Sequence, residues 1–282
     1  NPTAGFRGLQ PDISDDDPTN PAEGCRGLAY LFTPEEFHAG MKWIDRRLVG
    51  DLSDDGPAGR FPDPSLAEPE WWDSSAGNGL YMLLFYPADL PEENPASVWG
   101  LVYDDPTMGV FNFRSRYGSG DPLQRGDDSS FHGVDEDFIF FTTANLRSAN
   151  GGHSGPDTMS FRISGLGVPW AVGGGRTSAT EGQTTLFPSD PVIGVNWSKT
   201  FGETVVDQYL RRNTGDGYVI MNMLQSDTGV REQTRRMIVD YSGRAGVEGF
   251  YVISDSCADK RPWWRLNTLF DHTVDVSTPG TF

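Results

Sequence analysis

The 282-residue sequence has few of the residues on which several common kinds of site depend. It contains two cysteines, Cys25 and Cys257, and neither belongs to a Cys-x-x-Cys motif that would indicate redox or zinc chemistry. Whether they pair is open: a disulfide needs Cα atoms within about 7 Å, and buried thiols are an equal alternative. The chain has no apolar run near the ~18 residues of a membrane span. It also lacks the Gly-x-Ser-x-Gly motif of serine hydrolases.

Basic residues are scarce as well. Lysine and arginine total 22 against 40 aspartates and glutamates, a formal net charge of −18 at pH 7. Nucleic acid is therefore not an expected partner, because phosphate binding depends on clustered lysine and arginine. The same charge repels polyanions at long range, so a sulfated ligand would need a local basic pocket.

The chain divides into three segments by composition. Residues 1–21 are rich in proline and aspartate and predict an extended lead-in. Residues 22–96 predict a short helical segment with loops. Within it, Thr33-Pro34-Glu35-Glu36 is typical of a helix start, and apolar residues recur at helical spacing to Leu48. A second helix is predicted over residues 79–86, and a long loop over residues 51–70.

Residues 97–282 predict a β-sandwich domain. Segments rich in β-branched and aromatic residues recur there, separated by clusters of glycine, asparagine, aspartate and proline. The fold class is therefore mainly β: an antiparallel β-sandwich preceded by a short α-helical segment. The predicted strands cover residues 98–103, 110–116, 137–143, 159–163, 169–172, 204–211, 218–224, 235–240 and 250–253.

A glycine-flanked histidine, His153, provides the best candidate for a reactive side chain. It lies in the loop Asn150-Gly-Gly-His-Ser-Gly-Pro-Asp157, and two apolar stretches split by Leu166-Gly167 follow at once. Loops held by a rigid sheet often carry catalytic residues. Imidazole, with a pKa of about 6.5, transfers protons near neutrality. The alternative is that His153 only hydrogen-bonds its own loop.

This region resembles the C-terminal β-sandwich of the heparinase II/III-like polysaccharide lyases. In that family a loop of the type His-x-His-x-Asp-x-x-Ser-Phe leads into a strand, a Leu-Gly turn and a second strand. An upstream Gly-x-x-x-x-Arg-Ser strand opens the sandwich, and paired strands lie near its end. The matching residues here are His153, Asp157, Ser160-Phe161, Leu166-Gly167 and Gly175 in the loop region, Gly109–Ser115 upstream, and Arg235–Asp240 with Gly249–Asp255 downstream.

The resemblance implies β-elimination on an acidic, uronate-containing polysaccharide. His153 would then act in proton transfer or as a partner of the uronate carboxylate. Asn150 would donate hydrogen bonds to the carboxylate or to the enolate-like intermediate. Arg114 and Arg176 would pair bidentately with the uronate. The family setting also implies a secreted or periplasmic protein.

Two departures from the family pattern bear on function. The positions at which family members hold a metal ion read Gly155 and Gly173, so we expect no metal and no cofactor. The family also carries its tyrosine base on a large α/α toroid, of which residues 22–96 would be only a remnant. Either this chain is the C-terminal part of a longer enzyme, or the helical domain has been lost. The resemblance therefore leaves open whether the chain is an enzyme.

Tryptophan supports an alternative function. The sequence contains eight tryptophans, and exposed ones stack on sugar rings. A non-catalytic carbohydrate-binding sandwich is therefore the alternative, together with a structural or assembly protein derived from the same family. The expected partners are an acidic polysaccharide and either a second copy of the chain or a missing helical domain.

Overall fold

The structure is a computed structural model that describes residues 26–48, 84–107, 109–117, 138–144, 159–165, 168–171, 186–187, 202–226, 233–257, 263–264 and 266. The described helices are α1 (Arg26–Phe32), α2 (His38–Leu48) and α3 (Pro95–Val98), with a 3₁₀ turn at Glu35–Phe37. None of these helices has the length and apolar character of a membrane span.

The predicted first helix is present, but its start differs from the prediction. Residues 35–37 form a 3₁₀ turn preceded by Pro34, and no side chain caps that turn. The α-helix proper begins at His38 and continues to Leu48. Of the second predicted helix, only residues 84–86 lie in the described part, and residues 84–85 are helical. The predicted lead-in and the long loop lie outside the described residues.

All nine predicted strands are present, with shifted ends. The first was predicted from residue 98, but residues 95–98 form α3, because Asn94 caps the amide of Ala96 and Pro95 occupies the first turn. Two short strands, β6 and β11, were not predicted. The strands are β1 (Val102–Asp105), β2 (Val110–Arg114), β3 (Phe138–Thr143), β4 (Phe161–Gly165), β5 (Val168–Ala171), β6 (Leu186–Phe187), β7 (Gly202–Arg211), β8 (Gly217–Ser226), β9 (Gln233–Asp240), β10 (Phe250–Ser256) and β11 (Trp263–Trp264).

The strands form two antiparallel sheets in sequential order. One sheet runs β1-β2-β3-β4-β5, the other runs β10-β9-β8-β7, and β6 pairs with β11. The two strands predicted after the His153 loop are confirmed as β4 and β5, which pair from Gly165 and Val168. Leu166-Gly167 between them lies outside the described residues. The mainly β sandwich predicted from the sequence is thus confirmed.

The hydrophobic core lies between the two sheets. Phe140 of the five-stranded sheet stacks on Phe161 at 5.8 Å and on Tyr251 of the four-stranded sheet at 5.6 Å. Burying each such ring stabilises the fold by about 1.5–3 kcal/mol. Because side chains alternate along a strand, the neighbours of these core residues face away from the sandwich interior. The core also contains Phe111, Phe113, Met159, Val219, Met221, Met223, Met237 and Val239.

Candidate functional site

Of the four side chains predicted to act on substrate, one lies in the described part of the chain. Arg114 is the last residue of β2. His153, Asn150 and Arg176 lie outside the described residues, so their roles remain predictions. The same applies to the two glycines at the family's metal positions, Gly155 and Gly173. Among the described residues, no group of three or more histidine, cysteine, aspartate or glutamate side chains is placed to hold a metal.

Arg114 lies at the junction of the sandwich and the helical segment. Its guanidinium carbon is 4.4 Å from the centre of the Tyr117 ring, a cation–π contact. Trp99, which follows α3, donates its indole N–H to the hydroxyl of Tyr117 at 2.9 Å. The ring of Trp43 on α2 meets Tyr117 edge-on at 5.7 Å. Arg114 therefore lies on a strand, and its guanidinium contacts the Tyr117 ring. Trp43 and Trp99 contact that ring in turn.

A second arginine, Arg162, faces the same side of the five-stranded sheet. Asn112 on β2 and Arg162 on β4 are both paired with Phe141 on β3, so the three residues form one row. Phe111, Phe113 and Phe161 lie in the core, so alternation directs Asn112, Arg114 and Arg162 to the opposite face. We call these three residues the far-face polar group.

The far-face polar group is buried. Nη1 of Arg162 donates to the Ser160 hydroxyl at 3.0 Å and to the Phe161 carbonyl at 3.2 Å. The sequence prediction assigned no role to Arg162. The signal was the alternation after Ser160-Phe161: with Phe161 turned inward, the next residue must turn outward.

Tyr103 on β1 borders this group, because it pairs with Asn112. Burial raises the pKa of Tyr103, and the neighbouring carboxylates of Asp105 and Asp104 raise it further. The phenol therefore keeps its proton near neutral pH. Tyr103 suits hydrogen-bond donation, and its environment does not favour the deprotonated form that a general base needs.

The backbone at Met159-Ser160, immediately before β4, is held by three residues. Met159 has a φ of +60°, a left-handed conformation that non-glycine residues rarely adopt. Its amide donates to the Thr143 carbonyl at 2.8 Å, and the Thr142 hydroxyl donates to the Ser160 carbonyl at 2.7 Å. Nη1 of Arg235 donates to the Met159 carbonyl at 2.6 Å. The chain is therefore fixed two residues after Asp157, the last residue of the loop that carries His153.

Arg235 joins the two sheets at this point. It lies on β9 with an exposed fraction of 0%, and it pairs with Asp255 on β10 through two hydrogen bonds of 2.8 Å. Arg235 and Asp255 are also register partners, so the sequence prediction that these strands pair is confirmed. The guanidinium thus uses one edge for Asp255 and its remaining nitrogen for Met159, which lies just before β4 of the other sheet.

His38 is the histidine that the structure describes. Its Nε2 lies 2.9 Å from the Thr33 carbonyl, and its ring meets the Tyr30 ring edge-on at 5.3 Å. Both contacts tie the start of α2 to the preceding segment. They indicate a structural role for His38.

No protein-family model and no curated protein sequence matches the chain. Two solved structures of heparinase III, one with methylated lysines, are similar to it at 11% and 12% identity, with TM-scores of 0.44 and 0.46. These matches cover 92% and 84% of this chain but 31% and 28% of the heparinase III chains, so the chain spans about a third of their length.

Proposed function

We propose that this chain is a polysaccharide lyase, or the C-terminal part of one, that cleaves an acidic, uronate-containing polysaccharide by β-elimination. The main support comes from the residues of β2 and β4. Ser160-Phe161 of the family-like motif leads directly into β4, and β4 directs Arg162 to the sheet face that carries Arg114. The strand that follows the motif therefore brings a second guanidinium group to the sheet face that carries Arg114. Because such polysaccharides are extracellular, the proposal implies a secreted or periplasmic protein.

The reaction needs three chemical steps near one another. The uronate carboxylate must be neutralised, the proton at C5 removed and the leaving O4 protonated. We assign proton transfer to His153, because imidazole is available in both protonation states near neutrality. Carboxylate recognition falls to Arg114 and Arg176, whose guanidinium groups match a carboxylate bidentately, with Asn150 as a hydrogen-bond donor.

The test is incubation of the chain with alginate, ulvan, heparan sulfate, chondroitin and hyaluronan. β-Elimination leaves an unsaturated uronate, whose conjugated double bond absorbs in the ultraviolet. We expect an absorbance rise with at least one substrate and its loss in His153→Ala. His132→Ala, a histidine outside the motif, is the matched control and should retain the activity. Activity that persists in His153→Ala would contradict the assignment of proton transfer to His153.

A carbohydrate-binding function is the second candidate, and Trp170 on β5 favours it. Its side chain is held by a 3.1 Å hydrogen bond from the indole N–H to the Gly165 carbonyl, yet the residue remains 47% exposed. A restrained, half-exposed indole can stack on a sugar ring at low entropic cost. Under this alternative, Trp170→Ala weakens retention in affinity electrophoresis with the same polysaccharides, and no absorbance rise accompanies binding.

A further inference from the structure

The outward face of the four-stranded sheet carries an apolar row that crosses all four strands. Leu210 pairs with Tyr218, Tyr218 with Ile238, and Ile238 with Val252, so the four side chains are direct neighbours. Their chain neighbours Val219, Met237 and Val239 lie in the core, which places the row on the opposite face. Ile238 is 46% exposed and Leu210 is 39% exposed. We call these four residues the outward row.

On β9, one charged residue lies on each side of the outward row, and the two have opposite signs. On β9, Arg236 and Asp240 lie two residues before and two residues after Ile238, and all three face outward. Arg236 is exposed, and Arg236 and Asp240 are separated along the strand by about 13 Å. Hydrogen bonds from Ser242 lower the pKa of Asp240, so the carboxylate is ionised at neutral pH.

We propose that this face is a homodimer interface, occupied by the same face of a second copy of the chain. A two-fold axis along the outward row brings each row residue against its own counterpart and reverses the strand direction. Arg236 of each copy then faces Asp240 of the other. No other two-fold axis in the interface plane matches these opposite charges: an axis along the strands would set Arg236 against Arg236. The pairing of Arg236 with Asp240 thus favours a second copy in this orientation.

The size of the face indicates a weak dimer. Four strands about 4.8 Å apart, each contributing eight residues at about 3.4 Å, give about 500 Å² per copy. Two copies would bury about 1,000 Å², the lower bound of specific interfaces. The net charge of −18 opposes the approach of two copies at low ionic strength, where screening is weak. We therefore expect concentration-dependent dimerisation at physiological salt.

The experiment is sedimentation velocity of the full chain over a wide concentration range at physiological salt. Arg236→Asp and Asp240→Arg should each weaken the dimer at least about tenfold, because each sets like charges against one another at two symmetric positions. The double variant Arg236→Asp/Asp240→Arg restores the opposite pairing and should dimerise like the wild type. Asp89→Arg, an exposed charge reversal between α2 and α3, is the matched control and should leave the dimer intact.

Restoration of the dimer in the double variant supports the proposal, since a general loss of charge or of stability does not predict rescue. Three outcomes overturn it. One is a wild-type chain that remains monomeric at all concentrations, as it would if another part of a longer protein covered this face. The second is a dimer that survives both single reversals. The third is loss of dimerisation in both single variants without rescue in the double. Circular dichroism of each variant establishes that it is folded. The inference does not depend on the lyase proposal.

Discussion

The contact between Arg235, Asp255 and Met159 allows a quantitative prediction of stability. Arg235 is fully buried, and Asp255 accepts two hydrogen bonds from it, while the side chain of Asp255 remains 11% exposed. The third hydrogen bond of the guanidinium, to the Met159 carbonyl, joins the two sheets. The perturbations are Asp255→Leu, Arg235→Met and the double variant.

The two single variants should differ in severity. Asp255→Leu leaves an arginine that is buried and cannot lose its proton, so we expect a loss of about 3–5 kcal/mol in unfolding free energy. Arg235→Met leaves a carboxylate that can contact water or take up a proton. We expect Arg235→Met to lower the unfolding free energy by about 2–3 kcal/mol. Part of this loss arises because the Met159 carbonyl no longer accepts the hydrogen bond from Arg235. The double variant leaves no unpaired charge, so its loss should be smaller than that of Asp255→Leu alone.

The assay is urea unfolding at neutral pH, followed by tryptophan fluorescence and analysed as a double-mutant cycle. Arg244→Met, which removes an exposed arginine, is the control and should change the unfolding free energy by less than about 0.5 kcal/mol. A double variant that loses the sum of the two single effects, within about 0.5 kcal/mol, would refute the reasoning. The same holds for an Asp255→Leu variant that is no less stable than Arg235→Met.

Two further predictions concern a buried tyrosine and a close backbone approach. Burial raises the pKa of Tyr251 to about 12, above its unfolded value of 10.0, so its contribution to stability is complete below pH 10 and declines as the pH approaches 12. Relative to Tyr251→Phe, the wild type should lose about 1.4 kcal/mol by pH 11 in urea unfolding, and equal pH dependence of the two proteins would contradict this. Gly215 and Gly243 both have positive φ, but a Cβ at Gly215 would collide with the Arg114 carbonyl, whereas Gly243 has open space. Gly215→Ala should therefore lower the midpoint of thermal unfolding much further than Gly243→Ala, which costs about 1 kcal/mol of backbone strain; similar midpoints would contradict the steric argument.

Much of the fold could be predicted from local sequence. Alternating β-branched and aromatic residues identified every long strand, because a strand that buries one face needs an apolar residue at every second position. The prediction was wrong at residues 98–101. There an apolar composition suggested a strand, but capping by Asn94 and the proline after it favoured a short helix at the beginning of that segment. Strands β6 and β11 have two residues each, too few for an alternation of apolar and polar residues to be recognised.

The candidate site was predictable in part. Arg114 was identified from the motif that surrounds it, and the structure locates it on a strand beside Tyr117. Arg162 directly follows Ser160-Phe161 of the motif, but its significance depends on the pairing of three strands, which no single segment specifies. The roles of Asn150, His153 and Arg176 remain predictions.

The sequence by itself determined the class of the fold and the positions of its long strands along the chain. These are local properties, because they follow from the alternation of side chains within a few consecutive residues. Only the tertiary structure decided that Arg235 contacts Met159, 76 residues away, and that Leu210 and Val252 belong to one row. Such contacts depend on strand register, which is set by the packing of the two sheets as a whole. A buried charge such as Arg235 therefore acquires its partners only when the sheets assemble.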